Sequence, residues 1–591
     1  MLAAFAADRE ESRSAVSSQR CAVRKESNGW WLVDPTGKLF FSLGICEFNQ
    51  GTDKQNYDPN RPSYAGWQHH DSPEAWAAAN VLRLKNWGFT TLGAWSDYKL
   101  ANQAPHPKLW MTPELTMLRS GGPWFDMWDD KVLHRIEELA EESIAPLRGN
   151  PQVIGYYSDN ELGWWNATMW KMALDQPATS GQRQRLIGVV REDYSNDWNL
   201  LVNDFEPENA ANWDELDRRG MLWLRPGGKG IRTMRRFLGI VAERYYHVMR
   251  DTIHRLDPGA LYLGDRYQSF YYPEVAKAAG KHVDVVSTNL NASWNDGTFL
   301  HAYLDTLHNL TGKPVLISEF YMAAAENGTG NKNERGVFPA VATQVERGHA
   351  LTNTLCSVAT LSYVVGADWF QYYDEPPQGR VDGEDYNFGL VDIRDRPYAE
   401  VTQAFATMNA AMLKSAPSKP PANAKAGVPP APAEPLGQFQ AMTALKNWDR
   451  ERGFVPSSTE NPVGDLYVCW TPEALHIATY VIDIAEPNYY KSGEIPEADR
   501  AKWKVQVNTE NPITMRIGAG KDPVIDNPTI RIASLSGTYH NVRCITAIAV
   551  PAKELGKQQF EAGDHIALKS SFDTLGRAEH MEWNGEFELA K

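Results

Sequence analysis

The chain has 591 residues, which is more than one ordinary domain needs and enough to bury a large core. Its formal net charge of −15 argues against nucleic acid or an anionic membrane as a partner, and it disfavours a densely sulfated polyanion unless basic residues cluster locally. The five cysteines are too few and too scattered for a disulfide framework or a metal cluster, so we expect no cofactor and no metal. Pairing of Cys469 with Cys544 stays open.

The N-terminal segment, residues 1–24, carries a partial targeting pattern. Met1 to Ala7 lacks a basic beginning, but Ala4-Phe5-Ala6 resembles the end of an export signal with its small-residue cleavage site. Elsewhere, no apolar run reaches the roughly 18 residues that a membrane-spanning helix needs. We therefore expect a secreted or periplasmic protein without a membrane anchor.

Residues 25–413 show strand and helix patterns in alternation. A hairpin over 29–41 turns at Asp34-Pro35-Thr36-Gly37 and leads into the first of eight strand-like runs. The runs are 40–44, 90–94, 109–112, 153–157, 261–264, 283–288, 315–318 and 367–372. Helices are predicted between them, among others over 130–147 and 231–256. This alternation predicts an α/β catalytic domain of the (β/α)8 TIM barrel class, with its largest insertion, 175–230, after the fourth strand.

A compositional break follows the predicted barrel. Residues 414–436 are rich in proline and alanine and predict a semi-rigid linker. Beyond it, residues 437–591 contain short alternating strands at the spacing of an all-β sandwich. Because the linker holds few groups that can pack, we expect few contacts across it and a sandwich separable from the chemistry.

Two predicted barrel strands end on a glutamate, Glu161 after the fourth strand and Glu319 after the seventh. The C-terminal ends of barrel strands form the floor of the active site, where a carboxylate is costly to hold unless it serves chemistry. Two such groups about 5 Å apart would be the acid/base and nucleophile of a retaining glycosidase. Salt-bridged structural glutamates are the alternative. Asn160 is expected to hold the sugar 2-hydroxyl, or else to cap the segment after it.

Several aromatic and polar residues are candidates for substrate binding. Trp369, on the eighth strand beside the polar Gln371, is expected to floor the subsite for the cleaved sugar, although a tryptophan on a strand is more often core. Trp164 is one of three tryptophans that closely follow the acid/base. One of the three is expected to line the cleft, and at least one is expected to pack in the core. Asn289 and Tyr321 follow the sixth and seventh strands.

These motifs resemble a known family. The resemblance is carried by the 29–41 hairpin and by four further segments, 88–95, 151–161, 317–320 and 369–400. Together they are similar to glycoside hydrolase family 50, the β-agarases, within the clan that carries the acid/base on strand four and the nucleophile on strand seven. The resemblance implies a retaining, exo-acting enzyme on β-galactosidic links of a red-algal galactan. It also implies that Glu161 is the acid/base and Glu319 the nucleophile.

The chain also departs from that pattern. Tyr321 stands where the agarases are expected to carry histidine, and the segment 287–293 with Asn289 stands where many relatives carry a tyrosine. A carrageenan-type galactan or another β-galactoside is therefore the alternative substrate, and a non-catalytic glycan-binding protein is the alternative from another class. Residues 465–483 and 581–585 resemble carbohydrate-binding module family 9, and a purely stabilising sandwich is equally compatible. The expected partner is a polysaccharide or oligosaccharide, and a homo-oligomer stays open.

Overall fold

The computed structural model describes residues 20–104, 108–118, 125–414, 427–437, 439–508, 511–538 and 542–591. The strands before residue 414 are β1 (Ala22–Glu26), β2 (Gly29–Val33), β3 (Leu39–Phe40), β4 (Ser42–Ile45), β5 (Thr91–Leu92), β6 (Trp110–Met111), β7 (Gly155–Tyr156), β8 (Phe205–Glu208), β9 (Met221–Leu224), β10 (Leu261–Tyr262), β11 (Val286–Leu290), β12 (Val315–Phe320), β13 (Ala323–Ala324), β14 (Ala340–Val341) and β15 (Val364–Trp369). The helices of this part are α1 (Pro73–Asn86), α2 (Tyr98–Gln103), α3 (Asp130–Ile144), α4 (Asn166–Asp175), α5 (Gly181–Asp193), α6 (Trp198–Asp204), α7 (Trp213–Arg218), α8 (Ile231–Leu256), α9 (Pro273–Gly280), α10 (His301–Thr311), α11 (Gln344–Ala359) and α12 (Ala399–Lys414).

Parallel strands form the centre of this N-terminal part. Six of them make one sheet in the order β11-β12-β15-β4-β5-β6, so their C-terminal ends share one edge. Strands β7 and β10 form a separate parallel pair. Isolated parallel bridges join Met111 to Val153 and Tyr267 to Thr288, next to the two ends of the six-stranded sheet. The fold is mixed α/β, and all eight predicted strand segments occur in the predicted order.

Local sequence signals explain most of these elements. Helix α8 spans the predicted 231–256, and α3 begins at the predicted residue and ends at Ile144. The predicted hairpin is β2–β3, whose turn is held because the Asp34 carboxylate accepts hydrogen bonds from the backbone N–H groups of Thr36 and Lys38, at 2.8 and 3.0 Å. The insertion after the fourth strand contains α5, α6 and α7 and the antiparallel pair β8–β9.

The C-terminal part is built mainly from antiparallel strands. They are β16 (Phe454–Val455), β17 (Gly464–Trp470), β18 (Ala474–Ile482), β19 (Ala501–Val507), β20 (Ile513–Ile517), β21 (Val524–Ile525), β22 (Arg531–Ser536), β23 (Arg543–Pro551), β24 (His565–Asp573) and β25 (His580–Glu588), with one short helix, α13 (Arg450–Gly453). They form two five-stranded sheets, β16-β17-β18-β23-β22 and β21-β20-β19-β24-β25. Residues of both sheets, among them Ile477, Trp503, Ile548 and Trp583, share one hydrophobic core. The cysteines Cys469 and Cys544 are buried free thiols.

The predicted boundaries need correction at two places. Residues 1–19 and 415–426 lie outside the described residues, but residues 427–436 of the predicted linker pack on the C-terminal sheets. Val428 pairs with Leu589, and Pro430 pairs with Trp470. Strand β1 begins before the predicted domain start at residue 25, because it pairs along its length with β2. Proline and alanine content therefore overestimates the length of the linker.

The expectation that few contacts cross the linker is wrong. The buried carboxylate of Asp465, on β17, accepts hydrogen bonds from the first two backbone N–H groups of α10, at 2.8 and 3.0 Å. The carboxylate of Glu486 accepts from the N–H of the second residue of α4, at 3.1 Å, and from the hydroxyl of Tyr272. Neither helix is capped by the side chain of its own N-cap residue, Leu300 or Trp165. The C-terminal part therefore supplies the caps that these two helices lack.

Ionic and aromatic contacts extend this interface. The Arg450 guanidinium stacks on Trp294 at 4.0 Å and pairs with Asp296 at 2.5 Å. The buried Arg235 of α8 pairs with Glu579 at 3.2 Å. Because one hydrophobic cluster runs through both parts of the chain, they pack as a single body at this face. Across the described ranges, no helix is long and apolar enough to cross a membrane.

Candidate active site

The two predicted catalytic glutamates line the same cavity. Glu319 lies in β12 and is 6% exposed, whereas Glu161 follows β7 and is half-buried. Both open into a cavity of about 600 Å³ at the C-terminal edge of the parallel strands. Asn160 and Tyr321, both predicted to contact substrate, line it as well. Four of the predicted site residues thus meet in one place.

Arg266, which follows β10, connects these groups. Its guanidinium is fully buried and donates hydrogen bonds to the Glu319 carboxylate at 2.8 Å and to the Asn160 side-chain oxygen at 3.0 Å. The guanidinium also stacks over the ring of Trp95 at 4.4 Å. The Asn160 oxygen is therefore already engaged as an acceptor. Asn160 does not act as a helix cap, because α4 begins only at Asn166.

Two amide side chains orient Glu161. The Asn289 side chain, fully buried at the end of β11, donates to one Glu161 oxygen at 2.8 Å, and Gln268 donates to the other at 3.3 Å. The Asn289 oxygen in turn accepts from the hydroxyl of Ser318 at 2.8 Å. In the structure Asn289 therefore supports Glu161, and its predicted contact with substrate stays a prediction. Each glutamate thus has its own set of donors.

Burial dominates the electrostatics of the cavity. It raises the pKa of Glu319 to about 8, with Glu161 and Glu384 adding to the rise and the Arg266 guanidinium opposing it. Burial also raises the pKa of Glu47, another carboxyl of the lining. On the outer wall, Arg380 pairs with Glu384 at 3.0 Å. The cavity therefore presents several hydrogen-bond acceptors, which suits a polyhydroxylated ligand.

Three predicted substrate-binding residues do not line the cavity. Trp369 is fully buried against Phe405, with its indole N–H donated to a backbone carbonyl. Trp164 is 2% exposed and donates its indole N–H to Asp265 at 2.8 Å. Gln371 is also buried. Side chains alternate along a strand, so Phe370 reaches the cavity while its neighbour Trp369 faces the helices.

Other residues of the site were not predicted from the sequence. Glu47, Trp95, Phe370 and Arg266 surround the two glutamates. For Glu47 and Arg266 the signal was present, because both are charged residues that closely follow a buried strand, as Glu161 does, and Glu319 lies at the end of one. In the residues that the structure describes, no cluster of three potential metal ligands occurs.

Paired glutamates at strand ends in an α/β fold are the arrangement found in glycoside hydrolases. No family model matches the chain. Two curated proteins of Vibrio sp. (strain JT0107) are similar to it. β-Agarase B is 27% identical over 480 residues, which cover 66% of this chain and 47% of that protein, and β-agarase A is 27% identical over 465 residues, which cover 66% and 45%. The chain spans about half the length of these curated relatives.

Solved structures agree with this similarity. An agarase, AgWH50C, and a second protein described as an exo-β-agarase match with TM-scores of 0.58 and 0.56, each at 23% identity. Each match covers 67% of this chain and 65% of the other. At this identity the likeness concerns the fold. Together with the curated relatives, it confirms the resemblance of the chain to the family 50 β-agarases.

Proposed function

We propose that the chain is a retaining glycoside hydrolase that cleaves β-galactosidic linkages of an agarose-type galactan, acting from the chain end. The main support for this proposal is that Glu161 and Glu319 line one cavity and that each is held by separate hydrogen-bond donors. The names of the similar proteins support the substrate, and the similarity to a structure described as an exo-β-agarase supports exo action. Because polysaccharides of this kind do not cross membranes, the proposed location is outside the cytoplasm.

The proposed fold is a (β/α)8 barrel followed by a β-sandwich. The ladders and the isolated bridges link the eight parallel segments in the order expected of a closed ring, which supports the barrel. The two antiparallel sheets with a shared core support the sandwich. The proposed domains are residues 20–414 and 427–591, with the intervening residues as their connection.

The proposed mechanism is a double displacement. Glu319 attacks the anomeric carbon and forms a glycosyl–enzyme bond while Glu161 gives its proton to the leaving oxygen. Glu161 then takes a proton from water, whose oxygen attacks the same carbon and releases Glu319. Arg266 stabilises the Glu319 carboxylate before attack and after release. Asn160 donates an amide hydrogen bond to the sugar 2-hydroxyl.

The raised pKa of Glu319 favours the opposite assignment, in which Glu319 protonates the leaving oxygen. The 2.8 Å hydrogen bond from Arg266 favours the anion and the role of nucleophile. Azide separates the two. If Glu161 is the acid/base, Glu161→Ala with azide should give a β-configured glycosyl azide from a substrate with an acidic leaving group. A β-configured product from Glu319→Ala would reverse the roles.

The function is tested by measuring reducing ends released from agarose, carrageenans and aryl β-galactosides. We expect hydrolysis of agarose with a single short product from the earliest times, and loss of activity in Glu319→Ala. Glu400→Ala, which removes an exposed glutamate of α12, is the matched control. If no glycan is cut but gel mobility is retarded by one of them, the chain is a binding protein and the proposed function is wrong.

A further inference from the structure

A second cavity of about 520 Å³ adjoins the first on the side of Glu161. Glu161 lines both cavities, and so does Tyr321. One wall of the second cavity comes from the C-terminal sheets, through Tyr480 and Ile482 of β18, Arg543 at the start of β23, and Val542 directly before it. The C-terminal part therefore contributes side chains to the same cleft as the proposed acid/base.

The opposite wall is aromatic and belongs to the N-terminal part. Phe270, Phe299, Tyr303 and Phe338 line it. Aromatic rings pack well against the apolar face of a sugar, while the surrounding polar groups bind its hydroxyls. A cavity of this composition next to the proposed acid/base has the position and chemistry of a site for the leaving sugar.

Arg543 is the cation contributed to this cavity by the C-terminal sheets. It is half-buried, and no carboxylate lies within 4.0 Å of it among the residues the structure describes. Its charge opposes the burial that raises the pKa of Tyr480, and it likewise counters the effect of Glu161 and Glu319 on the pKa of Tyr321. Arg543 thus lines the second cavity together with Tyr480 and Tyr321.

Two other arginines are bonded differently in this protein. Arg500, also in the C-terminal part, pairs with Glu497 at 2.9 Å and donates to two backbone carbonyls. Arg380, on the barrel side of the cleft, pairs with three carboxylates. A half-buried guanidinium that has a tyrosine hydroxyl but no carboxylate beside it retains donors for a planar oxyanion, which it binds with two parallel hydrogen bonds.

We propose that the second cavity is the leaving-group subsite, completed by the C-terminal sheets, and that Arg543 there binds a sugar carrying an acidic substituent, either a sulfate ester or a carboxylate. The proposal rests on the proposed function, because it uses Glu161 as the acid/base to define the leaving side. Asp382 and Glu384 line the same cavity and repel a densely charged chain, so one acidic group is expected and not a run of them.

The test measures binding separately from turnover. Full-length Glu319→Gln is titrated calorimetrically with a neutral agaro-tetrasaccharide, with its monosulfated form, and with a form in which one sugar is a uronate. We expect at least one acidic form to bind about tenfold more tightly than the neutral one, and the stronger of the two identifies the substituent. In Glu319→Gln/Arg543→Met this preference should disappear.

Arg531→Met in the same background is the matched control, because Arg531 is an exposed arginine of the neighbouring strand β22 and lies outside the cavity. Arg543→Lys retains the charge without the planar fork and should retain part of the preference. Equal or weaker binding of both acidic forms, or a preference that survives Arg543→Met, would overturn the proposal. Failure of the wild type to cut any of these sugars would count against the proposed function, whereas the binding preference would still decide the subsite.

Discussion

The Asp465 carboxylate is predicted to stabilise the whole chain, because it caps a helix of the other structural part. Asp465→Ala removes an acceptor that serves the first two backbone N–H groups of α10 and the hydroxyl of Tyr467. Loss of an N-cap typically costs about 1 kcal/mol, and each buried donor left without an acceptor costs roughly 1–3 kcal/mol. Partial relaxation of the site reduces the sum, so we expect a loss of about 2–4 kcal/mol of unfolding free energy.

The consequence should reach the cleft, because α10 carries Tyr303. The hydroxyl of Tyr303 donates to the backbone carbonyl of Gln268 at 2.7 Å, and the Gln268 side chain bonds Glu161. Weaker capping of α10 should therefore lower activity as well as stability.

The assay compares urea midpoints and aryl-galactoside turnover of full-length Asp465→Ala and Asp522→Ala. The control removes an exposed carboxylate of the same part, for which we expect a change below about 0.5 kcal/mol. A midpoint for Asp465→Ala as high as that of the control would refute the idea that this carboxylate caps α10 across the interface.

Three further predictions concern the site and the interface. Since Glu319 must be ionised to attack and its pKa is raised to about 8, kcat/KM should fall as the pH decreases through about 8. Arg266→Met removes the cation that opposes this rise of the pKa and should therefore move the fall of kcat/KM to higher pH. A profile that declines only near the usual glutamate pKa of 4.5 would contradict this prediction. Asn289→Ala removes one of the two donors to Glu161 and should lower turnover about 10–100-fold for substrates whose leaving group needs a proton. The loss should be much smaller for aryl glycosides with acidic leaving groups, and equal losses on both kinds of substrate would assign Asn289 a general structural role. A chain ending at Lys414 should be insoluble or lack a cooperative unfolding transition, because it leaves α4 and α10 uncapped and exposes part of the core; a soluble, active product would show that the interface is dispensable.

Local patterns in the sequence were sufficient for the main elements. The eight strand segments and α8 were predictable, because apolar runs and helical periodicity act over a few residues and glycine or proline marks their ends. The two glutamates were also predictable, because a carboxylate after a buried strand is unusual. The same rule, applied to every strand, would have found Glu47 and Arg266.

The errors have a physical origin in tertiary structure. Whether a tryptophan on a strand faces the cavity or the helices depends on its register, so Trp369 was assigned to the wrong environment. Trp164 lies between β7 and α4, where no strand periodicity indicates the direction of a side chain, and it packs inward with its indole N–H on Asp265. The linker was misjudged because composition describes how a segment behaves alone. It does not show that a neighbouring sheet offers an edge for Val428 and Pro430 to pair with.

The contacts that dock the C-terminal sheets also determine which of their residues reach the cleft. Asp465 accepts from the N–H of Ala302, 163 residues away along the chain, and Glu486 accepts from the N–H of Ala167, 319 residues away. Nothing in the strand patterns around the two carboxylates indicates such distant partners. Those two carboxylates fix the C-terminal sheets against α4 and α10, and the same docking brings Tyr480 and Arg543 to the cleft. Under the proposed subsite, a substitution at this interface should therefore alter which leaving sugar is accepted without touching either glutamate. On that proposal, stability of the interface and choice of substrate are coupled, because the same contact supports both.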